Sequence, residues 1–324
     1  MNFQQQLWAV VLAAGDGTRL AALTTDARGN PVPKQFCSLR GQGSLLEDAL
    51  QRAGHVVRGE QVCVVVAEQH RRYWQRALRA LPPENVIVQP RNCGTANGVL
   101  LATLHVLERD PRSRIMFLPA DHFVRDEPVL ARSLRELAAL PDLHPRELVL
   151  LGIEPEEADP ELGYIVPGAC LAPHTHCVAH FAEKPPCDAA RELLKGGALW
   201  NSFIFAAQGP TLVQLLRARM PESVAAMAAA LAIGAGEPQP GRMLRELYQR
   251  LPNVDFSRDI VAGAEQRLRV LRSPACGWSD LGTPKRVAAT LQQPVPAPIR
   301  SRRPAPYDPP LLNLALQFAH WSSR

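Results

Sequence analysis

Residues 12–20, which read LAAGDGTRL, have the composition of a phosphate-binding loop and directly follow an apolar run. Gly15 and Gly17 allow backbone amides to approach an anion closely, and successive amides of this kind form an anion-binding nest. Arg19 adds a planar cation that can hold a phosphate through two hydrogen bonds. The segment lacks the Gly-Lys-Ser/Thr ending of a P-loop and the third glycine of the dinucleotide pattern. Taken by itself it leaves a plain glycine turn open as the alternative.

Further polar motifs follow this loop in order, as far as about residue 287. They read PKQF at 33–36, QPRNCGTA at 89–96, LPADH at 118–122, LGYI at 162–165, FAEKP at 181–185, WNS at 200–202 and GWSDLG at 277–282. Together with the glycine loop, this ordered set resembles the motifs of the nucleotide-sugar pyrophosphorylases, which are sugar-1-phosphate nucleotidyltransferases. Within that family the pattern is most similar to the mannose-1-phosphate guanylyltransferases.

The resemblance implies a reaction in which a sugar 1-phosphate attacks the α-phosphorus of an NTP and pyrophosphate leaves. Both reactants are polyanions, so the site must offset their repulsion and hold them in line. The expected substrates are GTP and mannose 1-phosphate, the product is GDP-mannose, and Mg²⁺ is the cofactor. One alternative is the same reaction with another NTP or another sugar 1-phosphate. An alternative of a different class is a catalytically silent regulatory protein that binds a nucleotide sugar.

The matched motifs also imply which residues contact the nucleotide. The expected nucleotide-binding residues are Ala13, Ala14, Gly15, Gly17, Thr18, Arg19, Gln89, Asn92, Gly94 and Thr95. Arg19 and Lys34 are expected to hold the triphosphate and the leaving pyrophosphate. With Asp121 and Lys184 they make up the expected catalytic set.

The sugar phosphate is expected to bind to residues from the second half of the chain. The resemblance implies that Lys184 pairs with its phosphate. Glu183 and Asn201 offer an acceptor and a mixed donor–acceptor for sugar hydroxyls. Gly163 would let the backbone lie against the sugar. An exposed Glu–Lys pair and a turn asparagine are the structural alternative for these common residue types.

Asp121 and Asp280 are the candidate Mg²⁺ ligands, and we expect each of them at the end of an apolar strand. Mg²⁺ takes one or two carboxylates, keeps several waters and completes its shell with substrate phosphates. For Asp121 the alternative is an N-cap of the helix predicted within residues 125–140, and a structural role is also open for Asp280. His122 is interpreted as a packed neighbour.

A second group of metal-ligating residue types lies at 170–180, and its spacing can be compared with that of zinc sites. It consists of Cys170, His174, His176, Cys177 and His180. The spacing differs from the CxxC and Hx₃₋₅H arrangement of structural zinc sites, although two of the histidines are four residues apart. The sequence therefore favours side chains that decorate a loop and the strand after it. A Gly-x-Ser-x-Gly elbow is missing as well, so a hydrolase has little support.

Four departures from the family pattern bear on the substrate, and one of them is the loop before Lys34, which is a few residues longer. Residues 21–24 read AALT where the family has Trp-Pro-Leu-Ser. Asn97 stands where the guanylyltransferase pattern has a proline, and Phe203 begins a Phe-Ile-Phe segment where Gly-Met-Phe is common. These changes leave the charged groups intact. They preserve the expected reaction and leave the identity of the substrates open.

The elements that must position these residues alternate between strand and helix in the first half. Strands are predicted at 7–12, 61–66, 85–88, 114–118, 147–153, 163–166, 177–181 and 202–206, and helices at 44–57, 69–80, 96–108, 127–140, 187–195, 211–219 and 224–232. Ser44 and Glu47 form a capping-box signature at the first of these helices. This order predicts an α/β protein with a Rossmann-like nucleotidyltransferase fold, in which helices flank a mainly parallel mixed sheet. Ligands of such sheets bind at the carboxyl ends of the strands.

We expect one nucleotidyltransferase domain over 1–290, with a nucleotide half at about 1–150 and a sugar-binding half at about 151–290. Residues 291–324 are rich in proline and arginine and are expected to be a tail, in which 311–321 could form a short amphipathic helix.

Composition limits the function classes for this chain of 324 residues. The formal net charge is +5 with scattered Lys and Arg, which favours small anions over nucleic acid. The seven cysteines form no CxxC pair, which favours a reducing compartment. Apolar runs fall short of the ~20 residues of a membrane helix. We therefore expect a cytoplasmic protein that binds neither nucleic acid nor membrane. Its oligomeric state, a homo-oligomer included, is left open.

Overall fold

The structure is a computed structural model that describes residues 7–21, 23–26, 29–39, 41, 43–234 and 240–292. Of Thr18 the backbone is described but not the side chain. The predicted tail from residue 293 onwards, with its helix at 311–321, lies outside the described residues.

Four parallel strands form the first half of the sheet. They are β1 (Leu7–Ala13), β2 (Val62–Ala67), β3 (Val86–Gln89) and β4 (Arg114–Pro119). β1 pairs with both β2 and β4, and β2 pairs with β3. Every residue of β2 and β4 is buried, as expected for parallel strands that are covered on both faces. The carboxyl ends of all four strands therefore meet at one edge of the sheet.

Helices follow these strands much as predicted. They are α1 (Leu45–Gly54), α2 (Arg71–Ala77), α3 (Thr95–Arg109) and α4 (Glu127–Leu143). The predicted capping box is present at α1: the Ser44 hydroxyl accepts from the Glu47 amide, and the Glu47 carboxylate accepts from the Ser44 amide at 2.7 Å. Both bonds satisfy amides that a helix start otherwise leaves unpaired.

The second half of the sheet is mostly antiparallel. Its strands are β5 (Leu148–Ile153), β6 (Tyr164–Ala172), β7 (Thr175–Ala182), β8 (Leu199–Gln208) and β9 (Leu268–Ser273). The strand order is β3-β2-β1-β4-β8-β5-β9-β7-β6, and β6 also pairs with β8. Among the described strands of this half, the pair β5 and β9 is parallel. β8 therefore joins the parallel half to the antiparallel half, and the expected α/β fold with a mixed sheet is confirmed.

The remaining helices of the described ranges are α5 (Cys187–Lys195), α6 (Gly209–Arg219), α7 (Pro221–Ile233), α8 (Arg242–Tyr248) and α9 (Pro284–Gln292). A π-helical turn spans Phe256–Val261. The sequence did not predict α8, this turn, β9 or α9. The expected domain boundary at residue 290 falls inside α9.

Alternate residues of the central strands build two apolar layers. On β2, Val64 and Val66 face the layer that includes α1, while Cys63 and Val65 face the layer that includes α3. This follows from the two-residue period of a strand. No helix within the described part of the chain is long and apolar enough to cross a membrane.

Candidate active site

An open cleft of about 280 Å³ lies at the carboxyl ends of β1, β3 and β4 and extends to β8. The predicted site residues that line it are Ala14, Gly15, Arg19, Gln89, Asn92, Gly94, Thr95, Asp121, Gly163, Glu183, Lys184, Asn201 and Asp280. The lining does not include Ala13, Gly17 or Lys34. One cleft thus brings together most residues that the two halves were expected to contribute.

Gln35 of the PKQF motif holds the glycine loop after β1 in place. The buried amide of Gln35 donates to the carbonyls of Ala13 and Gly15, both at 2.8 Å. Gly17 has φ +64, and a Cβ there would come within 3.0 Å of the Lys34 amide. The motif at 33–36 therefore fixes the conformation of the glycine loop through contacts with Ala13, Gly15 and Gly17.

Asp16, which the sequence analysis did not select, connects the ends of three strands. It follows β1 and accepts hydrogen bonds from Gln69 after β2 at 3.0 Å and from Asn92 after β3 at 3.2 Å. Asn92 also accepts from the Gly94 amide at 3.0 Å. These bonds fix the glycine loop relative to the loop that leads into α3.

Gly94 and Thr95 at the start of α3 line the cleft, and the amides of Gly94 and Ala96 donate to Asn92 Oδ1 and to the Val254 carbonyl, both at 3.0 Å. Gly94 has φ +88, and a Cβ there would lie 2.3 Å from the Val254 carbonyl. The Thr95 hydroxyl accepts from the Phe256 amide at 2.7 Å. Residues 254–256 are therefore attached to this helix start, and the glycine is required for their close approach.

Gln89 at the end of β3 supplies a buried acceptor in the cleft. Its side chain is 2% exposed, and its Oε1 atom has no hydrogen-bond partner among the described residues. Buried polar atoms are usually paired, so a ligand N–H could pair with this oxygen only after the side chain turns towards the cleft. Asn97, the residue that replaces a family proline, donates to the carbonyls of Cys93 and Pro252 at 2.7 and 2.9 Å. It therefore fixes the same helix start.

Lys34 is buried, and its ammonium contacts groups from both halves of the chain. It is 6% exposed. Its Nζ atom is 3.1 Å from the Asp121 carboxylate and donates to the carbonyls of Asp280 and Leu281 at 2.5 and 3.4 Å. Burial is the largest single influence on the pKa of Asp121 and acts to raise it, but the Lys34 ammonium, His122 and hydrogen bonds together lower that pKa. Asp121 is therefore held as a carboxylate at the edge of the cleft.

Asp280 is placed by a loop rather than by a strand end. β9 ends at Ser273, so the expectation that Asp280 directly follows an apolar strand is wrong. The loop is held instead by backbone bonds between Phe123 and Ser279 at 2.8 and 2.9 Å. Arg286 of α9 lies 2.9 Å from one oxygen of the Asp280 carboxylate and donates to the other at 3.2 Å.

The alternative role for Asp121 as a helix cap is also resolved. The N-cap of α4 is Asp126, whose carboxylate accepts from the Val129 amide at 3.3 Å. His122 beside Asp121 lines the cleft. Burial lowers the pKa of His122 to about 4, although Asp121 opposes this shift. The Trp278 indole donates to His122 Nδ1 at 3.2 Å, so the neutral ring carries its proton on the nitrogen nearer to Asp121.

The sugar-binding residues expected from the second half lie together. A Cβ on Gly163 would be 2.7 Å from a Glu183 oxygen, and the Gly163 carbonyl accepts from the Asn201 amide at 2.8 Å. Burial, together with the negative charge of Asp255, raises the pKa of Glu183. The Asn201 side chain donates to Ser257 at 3.3 Å. Polar groups from β7, β8 and the π-helical turn therefore surround one end of the cleft.

The chain matches the family model described as nucleotidyl transferase over residues 8–293, a span that includes every residue of the cleft. The chain belongs to the nucleotidyl transferase family. The family resemblance that the motifs indicated is thereby confirmed.

Relatives and solved structures agree with this nucleotidyl transferase assignment. The chain is 30% identical over 287 residues to the mannose-1-phosphate guanylyltransferase of Salmonella muenchen, covering 86% of this chain and 58% of the relative. It is 29% identical over 289 residues to the enzyme of that name from Escherichia coli K12, covering 86% and 59%. It thus spans less than two thirds of these relatives. The crystal structure of mannose-1-phosphate geranyltransferase from Thermus thermophilus aligns with a TM-score of 0.76 and 26% identity, covering 89% of this chain and 80% of that one.

Asp121 and Asp280 are the carboxylates of this nucleotidyl transferase that could hold Mg²⁺, and the Asp280 oxygens accept hydrogen bonds from Arg286 and from the Gly282 amide. Asp121 and Asp280 both line the cleft, and Lys34 contacts both residues. The described ranges contain no group of three or more His, Cys, Asp or Glu side chains that could hold a metal ion, in the cleft or at residues 170–180. Two carboxylates suffice for Mg²⁺ when phosphates and water complete its shell.

Several residues of the cleft were missed at the sequence level. They are Glu161, Phe203, Asp255, Ser257 and Trp278. Asp255 and Ser257 lie in a segment for which no element was predicted, and Phe203 was noted only as a departure from the family pattern. Arg19 stands exposed at the cleft, where Glu161 lies 3.9 Å from its guanidinium. This distance leaves Arg19 available to a phosphate.

Left-handed backbone is concentrated at this site. Four described residues other than glycine have positive φ: His174 lies in the turn between β6 and β7 with φ +63, and Lys184, Phe203 and Leu281 have φ of +49, +58 and +50. Of the last three, the first two line the cleft, and the third follows Asp280. Such a conformation costs a residue with a Cβ roughly 1–2 kcal/mol, and strain of this kind clusters at functional sites.

Proposed function

We propose that the protein transfers GMP from GTP to mannose 1-phosphate and releases pyrophosphate, with Mg²⁺ as the cofactor. The observation that carries this proposal is the single cleft that joins two kinds of subsite. One end has the glycine loop, Gln89 and the start of α3, which suit a nucleoside triphosphate. The other end has Gly163, Glu183 and Asn201, which suit a sugar.

The geometry supports a reaction by positioning and charge neutralisation. Amides of the glycine loop, with Arg19, would hold the triphosphate. Lys184 would hold the phosphate of the sugar phosphate, whose oxygen is already anionic and needs no general base. Asp121 and Asp280 would hold Mg²⁺, which neutralises phosphate charge when bound. Lys34 keeps Asp121 ionised and ties its loop to the loop that carries Asp280.

The choice of substrates is supported by the names of the relatives. The proteins from Salmonella muenchen and Escherichia coli K12 are mannose-1-phosphate guanylyltransferases. Another NTP or sugar 1-phosphate remains the alternative within the reaction, and a silent binding protein remains the alternative outside it.

Pyrophosphate release across a matrix of four NTPs and several sugar 1-phosphates, with Mg²⁺ and with EDTA, tests this proposal. Release confined to GTP with mannose 1-phosphate, and abolished by EDTA, is the expected result. Release with another pair keeps the reaction and replaces the substrates. If folded protein binds GDP-mannose but releases no pyrophosphate with any pair, the binding-protein alternative replaces the enzyme.

A further inference from the structure

β8 contains a bulge at the point where it borders the cleft. Leu150 of β5 pairs with Phe205 of β8, and Gly152 pairs with Asn201. Three residues of β8, 202–204, therefore lie opposite Leu151 alone. Bulges next to active sites redirect a side chain, and the residue at the centre of this one is Phe203.

The bulge is supported by side-chain hydrogen bonds. The fully buried hydroxyl of Ser202 donates to the Leu151 carbonyl at 2.6 Å and accepts from the Ile204 amide at 3.2 Å. The side chain of Asn201 accepts from the Phe203 amide at 3.2 Å. Backbone groups that lose their ladder partners are thus satisfied locally, which makes the bulge a fixed feature of the strand.

Phe203 adopts the left-handed conformation, with φ +58, that a residue with a Cβ normally avoids. Its ring packs edge-on against Phe205 at 6.0 Å and Phe256 at 5.9 Å between centroids. The ring is only partly buried and lines the cleft. Two aromatic neighbours therefore fix the orientation of a ring that retains an accessible apolar surface.

The groups around this ring indicate the chemistry of its ligand. Asn201 is two residues away on β8, and Asp255 and Ser257 flank Phe256. Amide, carboxylate and hydroxyl groups suit sugar hydroxyls, whereas an aromatic ring suits the C–H face of a pyranose. The nucleotide end proposed above is lined by Gln89, β2 and the start of α3, which reaches Phe256 through the bond that Thr95 accepts from the Phe256 amide.

We propose that the Phe203 ring forms the apolar wall of the sugar subsite and determines its affinity for the sugar. This inference rests on the proposed function, because it assigns the occupant of that end of the cleft. Phe203 touches the bound sugar, and the bulge of β8 places its ring there.

Binding of GDP-mannose and of GDP, measured by titration calorimetry with Mg²⁺ on the full chain, tests this inference. Phe203→Ala should weaken GDP-mannose binding about tenfold and change GDP binding by less than about twofold, since the ring meets only the sugar. Phe203→Gly should show the same loss even though it relieves the left-handed backbone. Phe203→Tyr keeps the ring and should bind both ligands like the natural protein.

Three results would overturn the inference: equal affinity of Phe203→Ala and the natural protein for GDP-mannose, equal weakening of both ligands, or recovery by Phe203→Gly. The second result would assign the ring to the nucleotide, and the third would assign the effect to the backbone. Thermal unfolding confirms that each variant is folded. If the matrix assay selects another pair, its nucleotide sugar and nucleoside diphosphate replace the two ligands.

The proposed function fails separately. If the natural protein binds GDP-mannose but releases no pyrophosphate with any pair, the proposed enzymatic activity is overturned. The role of Phe203 is then still decided by the affinities of the variants. Failure to bind any nucleotide sugar overturns both.

Discussion

Lys34 is the residue whose position departs furthest from its expected role. It was expected to hold phosphate, and that contact stays a prediction. In the structure its buried ammonium contacts Asp121 and the carbonyls of residues 280 and 281. Removing one partner of a buried ion pair leaves the other charge uncompensated. Lys34 therefore helps to keep Asp121 ionised and holds the loop that carries Asp280.

Replacing Lys34 by methionine should reduce kcat/KM for pyrophosphate release at least about 100-fold, because the carboxylates lose their fixed position and the site loses a cation. Steady-state assays measure this effect. The matched control is Lys195→Met, since Lys195 is exposed on α5 and pairs only with Glu192 in the described structure. Near-natural activity in Lys34→Met would contradict the assigned role.

Gly94 offers a second test at the scale of one residue. Gly94→Ala places a Cβ 2.3 Å from the Val254 carbonyl at φ +88, so we expect a loss of about 3 kcal/mol in the free energy of unfolding. The KM for the NTP should rise as well, because the start of α3 shifts. Urea unfolding and kinetics measure the two effects.

The control for this substitution is Gly54→Ala at the end of α1. A Cβ there has no neighbour within 4 Å, and its φ is not in the left-handed region. The free energy of unfolding of Gly54→Ala should equal that of the natural protein or exceed it by up to about 1 kcal/mol. Equal effects of the two substitutions would show that the close approach at Gly94 is unimportant.

At the scale of elements, local signals predicted the start of α1 but not β9. The capping box at Ser44 is a short-range pattern, and it is present as predicted. β9 is a mostly buried strand, but its arginines interrupt the apolar run by which a buried strand is recognised in a sequence. Arg269 and Arg272 pair with Glu147 and Glu154, both at 2.9 Å. These partners flank β5, which is distant in sequence, so only the assembled sheet supplies them.

α1 provides a prediction about pH. Burial raises the pKa of Asp48 to about 6, against about 3.9 in an unfolded chain. The folded state therefore favours the protonated acid. The stability contributed by Asp48 is full below about pH 4 and is lost as the pH rises through about 6.

Asp48→Asn should remove this loss. At about pH 7 the variant should exceed the natural protein in free energy of unfolding by on the order of 1 kcal/mol, and the difference should shrink or reverse at about pH 4. Urea unfolding at both values measures it, with Asp188→Asn, exposed on α5, as the control. A difference in the free energy of unfolding that does not vary with pH would contradict the raised pKa of Asp48.

At the scale of the whole molecule, the sheet brings distant segments from both halves of the chain to one cleft. β8 places Asn201 between the two halves, and the backbone pairing of Phe123 with Ser279 returns residue 280 to the end of β4. The metal ligands that we propose come from both halves. Mg²⁺ held in this way depends on substrate phosphates and contributes little to the ligand-free fold.

EDTA should therefore abolish pyrophosphate release and yet change the melting temperature of the ligand-free protein by less than about 1 °C, because a metal that binds with the NTP does not stabilise the protein without it. Addition of GTP with Mg²⁺ should raise the melting temperature more than GTP with EDTA. Calorimetry measures both effects. A clear fall in melting temperature with EDTA alone would indicate a resident structural metal.

The sequence by itself determined the α/β class, the family, the first-half elements and most residues of the cleft. These depend on short-range patterns: apolar periodicity, a capping box, and motifs whose glycines and charges lie close together in the chain. Tertiary structure alone decided that Lys34 is buried, that Asp16 joins three strand ends, that Arg286 contacts Asp280, and that a bulge turns Phe203 into the cleft. Each of these depends on partners from distant parts of the chain, and such partners become neighbours only when the sheet assembles.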